Sequence, residues 1–363
     1  GKAEEVFRRL PEYLGDGAYN LLFLRETKND VHIIRDPRGV HPLYMGQTKN
    51  GIQAVASEDQ ALRRVWPLAR EIDISRVKPG MLVHMGLGIT KPEAEQVLAP
   101  IPRHCSFEWA YFADWFATLD GARAIAVRRA FGQALAELDE DDKEEWRNPI
   151  VVPVPDSARI AAEGYAEKAH IRHIDVLLKR PDAMRSFIDP GDRRRIIREK
   201  FEIDWSLLAG RDVVLIDDSL VRGTTSDELL EILHNPDGLW YKMRQFFTSV
   251  MPLLGRYGTR IHFRFAFPPI IAPCFYGMDF SSVSELYVPK FLKKNGRVPD
   301  VLDDKILRRI AKKLGADTVK FLPVSTVHKA IGMPEDELCR ACFTGDYPTD
   351  GGQKLYDLQV LRR

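Results

Sequence analysis

Cysteine is scarce in this chain: four residues in 363, at positions 105, 274, 339 and 342. They are too few and too scattered for the disulfide framework of a secreted domain, which points to a reducing cytoplasm. Net charge is nearly absent as well, with 53 Lys and Arg against 52 Asp and Glu. A balance of +1 gives no broad electrostatic footprint for nucleic acid or membrane, so neither is expected as a partner. No apolar run reaches the roughly 18 residues of a membrane span, and no signal peptide opens the sequence. Residue 1 is Gly rather than Met, which leaves a fragment, a processed product or a trimmed chain all open. No internal repeat or low-complexity tract is visible. The remainder, 45% hydrophobic and 29% charged, is ordinary globular composition, and the length suffices for two domains.

The most informative stretch is Val213-Val214-Leu215-Ile216-Asp217-Asp218-Ser219-Leu220-Val221-Arg222-Gly223-Thr224-Thr225-Ser226. Four apolar residues in a row read as a strand buried on both faces of a parallel sheet. Two carboxylates follow at its C-terminal edge, where open α/β sheets bind ligands. Arg222-Gly223-Thr224-Thr225-Ser226 is a small-residue turn expected to open a helix over Asp227–Leu233. Gly223 allows close backbone approach, and successive N–H groups at a helix start favour an anion. Hydroxyls of Ser219, Thr224, Thr225 and Ser226 add donors. Carboxylates beside a phosphate cradle make sense only if the ligand also brings ribose hydroxyls or Mg²⁺. A sugar phosphate such as phosphoribosyl pyrophosphate (PRPP) brings both.

Elsewhere the first 98 or so residues look like an antiparallel β layer with one or two helices. A helix is expected over Lys2–Leu14, and short strands over Ala18–Leu24, Val31–Arg35, Leu43–Met45, Ala54–Ala56 and Met81–Met85. Pro92, Pro100 and Pro102 punctuate a linker. From Ala122 helices alternate with apolar strands: helix Ala122–Leu138, strand Ile150–Pro153, helix Ala158–Ala169, and strands Ile174–Leu178, Val213–Ile216 and Ile261–Ala266. That alternation predicts a doubly wound parallel sheet. The charge run Asp139–Glu145 reads as a solvated loop.

The densest basic cluster, Arg193-Arg194-Arg195 with Arg185, Arg198 and Lys200, is either a solvated helix start or a loop that closes over a polyanion. The helically spaced apolar residues of His234–Arg256 suggest an added amphipathic helix. Cys339 and Cys342 form a C-x2-C pair, while Cys105 and Cys274 stand alone. By spacing these four suit zinc, an iron–sulfur cluster or plain buried thiols equally.

Several longer strings resemble the amidophosphoribosyltransferase family. Arg35-Asp36-Pro37-Arg38-Gly39-Val40-His41-Pro42-Leu43 and Ala56-Ser57-Glu58 resemble the later part of its glutaminase domain, and Cys105-Ser106-Phe107-Glu108-Trp109-Ala110-Tyr111-Phe112-Ala113 its domain junction. Pro153–Ser157, Gly164-Tyr165-Ala166, Asp217–Ser226, Pro273–Gly277 and Cys339–Thr349 complete the series. The resemblance implies an α/β chain with a partial N-terminal-nucleophile-hydrolase β layer, then a type I phosphoribosyltransferase sheet. Residues 1–98 would be the end of a glutaminase domain, 99–121 a junction, 122–330 the phosphoribosyltransferase domain and 331–363 a cysteine-bearing tail.

The implied reaction is the committed step of purine synthesis, in which ammonia from glutamine displaces pyrophosphate from PRPP to give phosphoribosylamine. The resemblance assigns Ser157, Asp217 and Asp218 to Mg²⁺ and PRPP, Ser219 to PRPP, and Arg222–Ser226 to the 5-phosphate. It assigns Lys179 to pyrophosphate, Arg185–Lys200 to a flexible loop, and catalytic roles to Asp217, Asp218 and Arg222. One branch of the family carries a [4Fe–4S] cluster at the four cysteine positions, which favours the cluster here as a structural staple. A homo-oligomer regulated by purine nucleotides is also implied.

Two departures matter. The family's glutaminase uses an N-terminal cysteine nucleophile, and no cysteine precedes Cys105. The sequence as read therefore predicts use of free ammonia, or completion by a separate glutaminase chain or by a missing segment. Asp114-Trp115 replaces the family's usual dipeptide after Ala113. A non-catalytic PRPP-binding regulator of the same fold is the alternative function.

Overall fold

The computed structural model describes residues 5, 6, 9, 13, 14, 16–26, 29–65, 72–179, 201–204, 207, 208, 210–223, 226, 229, 230, 233, 259–292 and 299–362. Most of the expected helix Lys2–Leu14, the basic cluster with Arg185, Arg198 and Lys200, the insertion His234–Arg256, and Thr224 and Thr225 lie outside them. The described chain divides into two compact units. One comprises Gly1–Val127, Ala272–Ser282 and His328–Arg363; the other comprises Arg128–Ile271 and Val283–Val327.

The first unit contains antiparallel strands, as the alternation of short apolar runs and turns predicts, but those of residues 1–98 form two sheets among the described residues. Strands Asn20–Arg25, Asp30–Arg35, Met81–Gly86 and Glu93–Gln96 make one, in that spatial order. Strands Gln53–Ala56, Tyr44–Thr48 and Ile72–Arg76 make the other. Successive side chains of a strand point to opposite faces. Ile33 accordingly packs with Leu43, Val77, Val83 and Met85, while its neighbour Ile34 packs with Leu82 and Val97.

The Arg35–Leu43 motif has a structural explanation within this unit. Arg35 is fully buried, and all five guanidinium donors are matched. Nε donates to the His41 carbonyl, Nη1 to Val77 O and Asp120 Oδ1, and Nη2 to Gly39 O and Asp120 Oδ2. The turn Asp36–His41 is thereby wrapped around one buried cation. Asp114 also gains an account: its carboxylate accepts from the Phe116 N–H and from Arg64, closing the turn after Ala113.

The second unit holds a five-stranded, all-parallel sheet in the order Arg172–His173, Ile150–Pro153, Asp212–Asp217, Arg260–Phe265, Thr318–Phe321. The chain therefore has an α/β fold, with a parallel sheet and antiparallel N-terminal sheets. Strand Asp212–Asp217 is central and buried along its whole length, as a continuous apolar run requires. Helices Ala124–Glu137 and Arg159–Ala169 approach to backbone contact at two glycines. A Cβ on Gly132 would lie 1.8 Å from Ala161 O, and one on Gly164 would lie 2.1 Å from Arg129 O.

Two local expectations are corrected. Asp139 is not solvated but fully buried, where it pairs with Arg264 and Lys320 and accepts from Tyr165. The rest of the run, 140 to 145, is largely exposed, and its last four residues, Asp142–Glu145, form a short 3₁₀ helix. The expected strand Ile174–Leu178 falls across two strands that leave 174–176 in neither: Arg172–His173, just before it, joins the parallel sheet, and Leu177–Lys179 pairs antiparallel with Phe201–Ile203.

Candidate functional site

The C-terminal end of the central strand carries Asp217 and Asp218, both buried. The neighbouring strand Ile150–Pro153 delivers Ser157 to the same edge, four residues past its end. Ser157 donates its hydroxyl to Asp218 Oδ2, Ser219 donates to Asp218 Oδ1 at 2.6 Å, and the Asp218 N–H donates to Asp217 Oδ1 at 2.9 Å. Burial raises the Asp218 carboxyl above its ordinary value, against the lowering pull of Ser157, Ser219 and the Arg128 charge. A buried acidic pair held in this way is organised to receive a cation.

Beyond it the chain turns at Gly223, whose φ of +81° lies in the left-handed region. Ser226, Leu229, Leu230 and Leu233 have helical geometry, so the turn does lead into a helix. Ser157, Asp217, Asp218, Ser219, Arg222, Gly223 and Ser226 thus lie along one edge of one sheet. Lys179 ends strand Leu177–Lys179, and nothing is described of its side chain.

Two contributors to this loop carry no motif and were missed in the sequence. Glu285 pairs with Arg222, and Tyr287 lies against Gly223. An isolated Glu-Leu-Tyr string gives no signal by spacing or type.

The four cysteines meet in the first unit. Cys105 and Cys339 are register partners in a short parallel bridge between His104–Cys105 and Leu338–Cys339. Cys342 follows in helix Ala341–Thr344, and its carbonyl accepts from the Ala272 N–H. Cys274 is fixed by its own N–H donating to Phe280 O. All four line one small cavity of about 20 Å³, together with Val40, His41, Phe107, Tyr276, Met278 and Phe280. Burial pushes every one of these thiols up, Cys339 to about 12. The Tyr276 N–H donates to Cys274 Sγ at 3.3 Å.

One other ligand-type cluster is present among the described residues. Asp30, His32 and His84 have potential ligand atoms within 4.8 Å of one another. The two imidazoles are stacked, 4.4 Å apart and within 6° of parallel. A metal must lie near the plane of each ring that ligates it, and parallel planes share no such point. Asp30 is also taken by Arg25. The cluster reads as a cross-strand ion pair and ring stack.

A family model described as a glutamine amidotransferase domain matches residues 3–64. The chain is 32% identical over 352 residues to amidophosphoribosyltransferase 2, chloroplastic, of Arabidopsis thaliana, covering 96% of this chain and 54% of that protein. It is 30% identical over 350 residues to the amidophosphoribosyltransferase of Methanothermobacter thermautotrophicus, covering 95% of this chain and 64% of that one. The chain therefore spans somewhat over half the length of these relatives. Its fold matches a solved glutamine PRPP amidotransferase from B. subtilis, complexed with ADP and GMP. The TM-score is 0.70 at 29% identity, over 92% of this chain and 64% of that one. No helix among the described residues is long and apolar enough to cross a membrane. Over most of its own length this chain is therefore similar in sequence to amidophosphoribosyltransferases, and its fold matches that of a solved one.

Proposed function

We propose that this chain carries the PRPP-using half of an amidophosphoribosyltransferase. In the reaction, the ammonia lone pair forms a bond to C1 of PRPP, the C1–O bond to pyrophosphate breaks, and the nitrogen sheds a proton to solvent. The observation that carries this reading is the convergence of Ser157, Asp217 and Asp218 with the Gly223 turn at the edge of the central strand. Asp217 and Asp218 orient the ribose and hold Mg²⁺, with Ser157 fixing the Asp218 carboxylate. Mg²⁺ held there would offset charge on the departing pyrophosphate. Main-chain N–H groups of Arg222–Ser226 hold the 5-phosphate, which fixes the anomeric carbon for attack. Lys179 contacts the pyrophosphate; Arg185, Arg198 and Lys200 are further candidates for the same polyanion and lie outside the described residues.

The cysteine cavity belongs to this reading as a [4Fe–4S] site. Its donors are four thiols in an apolar lining, suited to a soft metal group. Because the reaction moves no electrons, the cluster would staple the strand, junction and tail segments that bear the cysteines. Regulation by purine nucleotides and homo-oligomerisation complete the reading. The solved relative with ADP and GMP supports the former.

The test is pyrophosphate release from PRPP with Mg²⁺, driven by ammonium salts, with and without glutamine. Release with ammonium is expected. Tight PRPP binding without turnover under any nitrogen source would replace the enzyme by a PRPP-binding regulator.

A further inference from the structure

The loop after the acidic pair touches the segment Val283–Val288 at three successive residues. The Tyr287 N–H donates to the Val221 carbonyl at 2.8 Å. Arg222 places Nε at 2.8 Å and Nη2 at 2.6 Å from the same oxygen, Glu285 Oε2. A Cβ at residue 223 would lie 2.1 Å from the Tyr287 ring, so the ring fills the space beneath the glycine. These segments belong to one compact unit. The loop lies beyond the strand's ladder, and without outside anchors its N–H groups would be ordered only by the ligand. Ordering on binding weakens affinity, whereas a loop already held does not incur that cost.

We propose that Glu285 is a positioning residue of the 5-phosphate cradle, acting through Arg222. The charge-assisted hydrogen bonds fix the Arg222 side chain, and with it the backbone between the Val221 carbonyl and Gly223. They also hold the guanidinium to a protein carboxylate, so that it does not fold over the loop's own carbonyls. Glu285 touches neither sugar nor metal in this arrangement. The inference rests on reading residues 217–226 as a sugar-phosphate site and names the residue that preforms it.

The experiment is calorimetric titration of the whole protein with ribose 5-phosphate and, separately, with pyrophosphate, each with Mg²⁺, for the native chain, Glu285→Ala and Glu285→Gln. For Glu285→Ala, ribose 5-phosphate binding is expected to weaken about fivefold, as for loss of a part-exposed ion pair, while pyrophosphate binding is unchanged. Glu285→Gln keeps a hydrogen-bond acceptor and should fall between. In an Arg222→Ala background, Glu285→Ala should cost nothing more. Unaltered ribose 5-phosphate binding in Glu285→Ala, or equal loss of both ligands, overturns the proposal. Failure of the native chain to bind ribose 5-phosphate overturns the underlying site reading instead.

Discussion

Cys105 and Cys339 face each other as register partners in a two-residue parallel bridge, joined further by the Ser106 hydroxyl donating to Cys339 O at 2.9 Å. The bridge ties the junction to the C-terminal tail and aims both thiols into the same cavity. If that cavity holds the proposed cluster, Cys339→Ser should remove it. Protein purified without oxygen should carry iron and inorganic sulfide with visible charge-transfer absorbance, and the variant should lack all three. Native protein that binds zinc alone and shows no colour would contradict the assignment.

The two helices Ala124–Glu137 and Arg159–Ala169 can meet only because Gly132 and Gly164 present no side chain. The partner atoms are backbone carbonyls, which cannot swing aside as a side-chain tip would. Gly132→Ala or Gly164→Ala should lower the unfolding free energy by about 1–3 kcal/mol or more, read from the urea midpoint. Gly17→Ala is the control. Its Cβ would meet nothing closer than 3.7 Å, and the midpoint should stay put.

Much of this was legible in the chain itself. Val213–Ile216 followed by Asp217-Asp218 announces a buried strand and its ligand edge, because a sheet covered on both faces needs an unbroken apolar run. The cysteines' meeting was not legible from spacing, since it depends on a pairing between distant segments. Strand Thr318–Phe321 was missed because its face alternates with polar Thr318 and Lys320, and Ile72–Arg76 because polar residues interrupt it. Glu285 lacks any local pattern, and only the fold brings it to Arg222. The charge run misled most clearly. Asp139 stands first among acidic residues that are solvated, but its partners Arg264 and Lys320 come from strands far along the chain.

That buried network sets an acid limit on stability. Burial alone would raise the Asp139 carboxyl, but the charges and hydrogen bonds of Arg264 and Lys320 outweigh it and leave it below the ordinary 3.8. A depressed folded-state value means the contribution is present above 3.8 and is lost as pH falls through the lower folded value. Asp139→Asn should flatten that part of the acid-unfolding curve. At neutral pH it should cost about 3–5 kcal/mol, because Arg264 would remain buried without its counter-charge. A variant as stable as the native chain at neutral pH would show that the network carries no net energy.

The acidic pair itself separates binding chemistry from folding. Asp217→Asn preserves side-chain volume and an oxygen that can still accept from the Asp218 N–H, but it removes a charge from the proposed Mg²⁺ site. Ammonia-driven pyrophosphate release should fall about 100-fold, the upper end of what altered metal-site groups cost, and excess Mg²⁺ should restore part of it. Circular dichroism should be unchanged, since the amide keeps the side-chain volume and an acceptor for the Asp218 N–H. Undiminished turnover would mean that Asp217 neither orients the ribose nor holds the metal. The proposed site would then have to be sought away from the end of the central strand.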